Sequence, residues 1–103
     1  MAEYIRPFDL QSDAVNLAVT GSSQVLAVNS TAIGTRSVRV ANIGSQTIFI
    51  KFGTANTTVS ATSGTPMIPN SVETFLLRNE VTHIAAIAGS TGSTMYVTVG
   101  EGA

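Results

Sequence analysis

The sequence predicts an all-β fold: a single small β-sandwich, jelly-roll or immunoglobulin-like, of about eight short strands. Three observations carry this. Eleven Val, eight Ile and fourteen Thr dominate a chain of 103 residues of which only 11% are charged, a composition that suits pleated, half-buried surfaces. From Ala14 onward, short alternating apolar and polar runs recur about every 8–12 residues, separated by Gly, Asn and Ser, the spacing of a sandwich or barrel. Apolar residues at helical spacing are nearly absent. Two segments follow: an extended N-terminal arm, residues 1–13, and a sandwich domain, residues 14–103.

The arm stands apart because Pro7 interrupts any ladder and because it holds Glu3, Arg6, Asp9 and Asp13 beside Tyr4 and Phe8. Strand propensity and alternation then mark Ala14–Thr20, with Val15 and Leu17 on one face, and, after Gly21-Ser22, Gln24–Asn29 with Leu26 inward. Arg36–Asn42 turns Val38 and Val40 inward and Arg39 outward. Past a turn at Gly44, Gln46–Phe52 puts Ile48, Ile50 and Phe52 on one side, Phe49 and Lys51 on the other. Thr57–Thr62, Ser71–Leu77, Val81–Ala88 and Ser93–Val99 complete the set. The connection 63–70 holds Pro66 and Pro69, which predict an extended segment outside any ladder. Val81–Ala88 also fits a helical face, and its β-branched residues tilt it to a strand. The expected core is Val15, Leu17, Leu26, Val38, Val40, Ile48, Ile50, Phe52, Ile84, Val97 and Val99.

The chemical inventory excludes more than it suggests. With no Cys there is neither a disulfide staple nor a thiolate metal site. One His, His83, and six scattered carboxylates match no zinc or calcium spacing. No nucleophile elbow accompanies His83, and Glu73, Glu80 and Glu101 form no recognisable acid pair. Gly89–Ser93 has no P-loop lysine and reads as a hairpin loop. A net charge of −1 supplies no polycationic surface for nucleic acid or anionic lipid. The longest apolar run, Ile84–Ala88, is far short of a membrane span, and the polar N-terminus does not resemble a signal peptide. The expectation is therefore a protein with no enzymatic activity and no cofactor.

What remains is a surface for proteins. Tyr4, Ile5, Phe8 and Leu10 are too apolar for a solvated tail, with Arg6 among them, and Met67 and Ile68 lie between two prolines. These seven residues are the candidate partner contacts, the arm docking on a neighbour or adding a strand to its sheet. Scarce charge suggests a homo-oligomer, with a trimer favoured.

Three phrases add a resemblance: Val38, Arg39 and Asn42 ahead of Phe49, Lys51, Phe52 and Gly53; then Pro66, Pro69, Ser71 and Glu73; then the closing Gly100, Glu101 and Gly102. Together they resemble small structural proteins of tailed bacteriophages and prophages. The resemblance implies a non-enzymatic virion component, a capsid decoration or cement protein bound to the major capsid protein on the head surface and assembled in the host bacterial cytoplasm. Its alternatives are a head-fibre base, a neck or tail accessory protein, or a carbohydrate- or receptor-binding β-module.

Overall fold

The computed structural model describes residues 9–10, 14–28, 36–78, 80–89 and 92–101. They form an all-β sandwich of two antiparallel sheets. In chain order the strands are β1 (Asp9–Leu10), β2 (Val15–Val19), β3 (Gln24–Ala27), β4 (Arg36–Asn42), β5 (Ile48–Gly53), β6 (Thr65–Met67), β7 (Ser71–Leu77), β8 (His83–Ala88) and β9 (Ser93–Glu101). Sheet A runs β1-β9-β4-β7, with β2 also paired to β9, and sheet B runs β3-β8-β5-β6. Because β2 lies along Ser93–Val97 and β1 along Gly100–Glu101, the two occupy one edge of β9 end to end. Each sheet is thus four strand positions wide.

The winding is that of a jelly roll. β5 pairs with β6, β4 with β7, β3 with β8 and β2 with β9, a nest of antiparallel pairs in which each encloses the last. Rolling that ribbon brings β9 against β4 and β8 against β5. The links β2–β3, β4–β5, β6–β7, β7–β8 and β8–β9 all cross between sheets. Gly89–Ser93 is therefore an arch between layers and not a hairpin loop.

Alternation places Val38, Val40, Met95, Val97 and Val99 on the inner face of sheet A, against Ile48, Ile50, Ile84, Ala86 and Ala88 of sheet B. Size alternates across sheet B, where Ile48 pairs with Ala88 and Ile50 with Ala86, so large and small side chains share one layer. Phe52 and Phe75 meet across the layers with ring centroids 5.4 Å apart. Of the expected core, Val15 is 42% exposed because β2 is an edge strand, and Leu17, Leu26 and Phe52 are only partly buried against the cluster.

Two segments depart from expectation for local reasons. Thr57–Thr62 is not a strand; its hydroxyl neighbours bind backbone instead. Thr57 Oγ1 accepts from Thr54 N at 2.9 Å, Ser63 Oγ from Ser60 N at 3.0 Å, and Gly64 N donates to Ser60 O. Such side chains offer the main chain an alternative to a ladder. Conversely, the Pro-bracketed connection does join a ladder: Thr65–Met67 pairs with β5 at the sheet edge, where Pro66 is tolerated because one side needs no donor. Pro69 and Asn70 then turn the chain, Asn70 at φ 64° in the second central position that favours Asn or Gly. Within the predicted arm, Asp9 and Leu10 pair with Glu101 and Gly100.

The β8–β9 arch depends on Gly92, whose φ is +89° and whose added Cβ would stand 2.7 Å from the Val19 carbonyl oxygen. Gly92→Ala is expected to lower the unfolding free energy by about 2–3 kcal/mol, read as a lower urea midpoint at unchanged slope.

Candidate interaction surface

The described side chains assemble no reactive centre. His83 is half-buried, with Nδ1 2.8 Å from Thr82 Oγ1, and among the described residues no three His, Cys, Asp or Glu side chains converge as a metal site. Arg39 and Lys51 stand on the outer faces of different sheets, so they form no basic stripe. No helix of the described residues is long and apolar enough to cross a membrane. A shallow open groove lined by Val19, Thr20, Gly44, Ser45, Gly92 and Ser93 holds neither charge nor aromatic ring for recognition.

Asn42 is the one fully buried polar side chain among the described residues, and its role is architectural. Nδ2 donates to Gln46 O at 2.8 Å and Met67 O at 2.9 Å; Oδ1 accepts from Gly44 N at 3.2 Å and Ser93 Oγ at 2.7 Å. One amide thus ties the β4–β5 arch to β6 and to the start of β9. Gly44 is required beside it, since a Cβ there would stand 2.7 Å from Thr94 N and overlap Ser93.

The two outer faces differ. On sheet B, Gly64 packs directly against Val59 and Phe49, and Val59 N donates to Ser23 Oγ at 3.0 Å, so the 54–64 loop lies against that face. Val59 is buried, and outward-facing Ala85 is wholly buried. Nothing described covers sheet A in this way. Val72 and Leu76 on β7 are 58% and 60% exposed, Ile43 beyond β4 is 56% exposed, and Tyr96 on β9 is also exposed. Register sets Val72 and Tyr96 on either side of Ala41, with Thr74 beside Arg39 one row on.

Edges differ as well. β6 is three residues long and contains Pro66, and β3 is four residues. β7 is seven residues long, free of Pro and, among the described strands, paired only with β4, the kind of long edge that invites another strand. Glu73 is its one charge.

Of the residues predicted to touch partners, Met67 is 1% exposed and belongs to the core, which removes it from any contact surface; the inward side of β6 swallows it. Ile68, one residue on, is 65% exposed beside the start of β7. Leu10 is placed in β1 by its backbone. Tyr4, Ile5, Arg6 and Phe8 lie outside the described residues. Sequence reasoning missed Val72, Leu76 and Ile43. Their signal was an apolar residue on both sides of one strand, Val72 and Leu76 against Phe75 and Leu77.

No family model matches this chain, and no curated protein matches it. A solved structure of the Bacillus endospore appendages, described as a novel family of disulfide-linked pili, is similar in fold, with a TM-score of 0.60 and 11% sequence identity over 96% of this chain and 92% of that one. The likeness is one of fold. It corrects the phage reading: a match spanning nearly the whole chain leads to a bacterial pilus protein and not to a virion component. The expected capsid decoration role, its phage and carbohydrate-module alternatives, the major capsid protein as partner, the virion location and the trimer inferred from head lattices fall with it. The short phrases behind that resemblance instead have structural duties here: Asn42 as the buried tie, Pro66 in an edge strand, Pro69 in a turn.

Proposed function

We propose that this chain is a non-enzymatic structural subunit that assembles with copies of itself into a filamentous surface appendage. The observation carrying this reading is the jelly-roll likeness to a pilus protein across 96% of the chain. It is supported by exposed Val72, Leu76 and Tyr96 on the outer face of sheet A and by a β7 edge that no described strand other than β4 covers, features that favour covering by a partner. The arm residues Tyr4, Ile5, Phe8 and Leu10, with Arg6, supply apolar and charged contacts to a neighbouring copy, and Ile68 adds to its exposed surface.

With no Cys, the subunits join without disulfides, unlike those of the similar pili. Purified protein, concentrated and viewed by negative-stain electron microscopy, is expected to form filaments of uniform width whose length is unchanged by excess reductant. A monodisperse monomer by sedimentation at millimolar concentration, with no filaments, overturns the reading.

A further inference from the structure

Resting on that reading, we infer that residues 4–8 of one copy add as a strand to the β7 edge of the next. Among the described strands only β4 pairs with β7, whose seven-residue edge shows Val72, Thr74 and Leu76 on its outer face. An extended segment from Tyr4 to Phe8 presents Tyr4, Arg6 and Phe8 on one side. Apolar, polar, apolar thus meets apolar, polar, apolar at the same spacing, Tyr4 and Phe8 beside Val72 and Leu76 and Arg6 beside Thr74. The match holds in either strand direction because both triplets are symmetric about their centre. Pro7 fits if its ring nitrogen faces away from β7, since alternate residues of an edge strand turn their amides to solvent. Tyr4, Arg6 and Phe8 then supply the ladder.

Distance dictates that the donor is another copy. β1 lies on the far side of sheet A from β7, with β9 and β4 between. A strand outside β7 stands four spacings from β1, about 19 Å. Phe8 adjoins Asp9 and is held within about 3.8 Å of its Cα, and even Tyr4 reaches only about 17 Å when fully extended. While Asp9 and Leu10 pair with β9, the arm cannot serve its own β7. Every copy therefore donates at one edge of sheet A and receives at the other. Such a head-to-tail contact builds an open chain unless its rotation happens to close a ring.

The test uses the absence of native Cys. Full-length Arg6→Cys and Thr74→Cys chains, each carrying one thiol, are mixed under assembly conditions and oxidised with oxidised glutathione. Mixed disulfide dimers are expected to exceed either homodimer by about tenfold, and the double variant is expected to give a ladder of covalent multimers. Val72→Lys/Leu76→Lys is expected to raise the concentration needed for assembly about tenfold or more. Filaments that form without the mixed cross-link, or that tolerate both lysines, overturn the strand inference and leave the filament reading standing. Failure of wild-type chains to assemble, seen in the same micrographs, removes the filament reading, and absence of the cross-link there removes both.

Discussion

Asn42→Ala is expected to lower the unfolding free energy by about 3–4 kcal/mol, a large share of the 5–15 kcal/mol available to a domain. The substitution removes one amide and strands four partners: the carbonyls of Gln46 and Met67, the Gly44 amide and the Ser93 hydroxyl. Each buried group left without a partner costs about 1–3 kcal/mol, and water recovers part of that where the arch is only half-buried. Ser93→Ala, which removes a single donor, is expected to cost about 1 kcal/mol. Thermal melts followed by circular dichroism would check both, with a fall of about 15–25 °C for Asn42→Ala and about 4–8 °C for Ser93→Ala. Equal small shifts would show that Asn42 is not the tie between the β4–β5 arch, β6 and β9.

Ile84→Ala is expected to cost about 3–4 kcal/mol through lost burial and the cavity left behind. Ile84 is wholly buried on β8, between Leu26 of β3 and Phe52 of β5, so its loss leaves a gap inside the core layer. Leu76→Ala removes a side chain of the same size from a site 60% exposed, and its expected cost in the unassembled domain is below about 0.5 kcal/mol. Urea unfolding at concentrations too low for assembly measures the contrast. A comparable loss at Leu76 would mean that the outer face of sheet A is covered within one copy, against the interaction surface described here.

Much of the ladder was legible residue by residue. Arg36–Asn42 and Ser71–Leu77 are strands with the boundaries their alternation predicts, because a two-residue period is a local property that survives any tertiary arrangement. Val38, Val40, Ile48, Ile50, Ile84, Val97 and Val99 are core for the same reason. Thr57–Thr62 misled because β-branched Thr suits a strand while its hydroxyl also suits a turn; Thr54, Ser60 and Ser63 nearby decide for the turn by supplying partners within three residues. Met67 misled because flanking prolines hide a three-residue edge strand. The candidate surface was legible only in part: the arm, proposed as a contact, stood out by composition, but Val72 and Leu76 resembled ordinary strand residues.

By itself the sequence determined that this chain forms an all-β sandwich and where most of its strands lie, since composition, turn residues and alternation act over a few residues at a time. Its lack of Cys also excluded any disulfide within these 103 residues. Only the tertiary structure decided that the sandwich is a jelly roll, that the 54–64 loop covers sheet B while no described segment covers sheet A, and that β7 is an edge among the described strands, with β9 and β4 between it and β1. Those outcomes depend on which distant strand pairs with which. Alternation says that a strand has two faces, but only the neighbours gathered by the whole ribbon as it rolls determine which face and which edge remain for a partner.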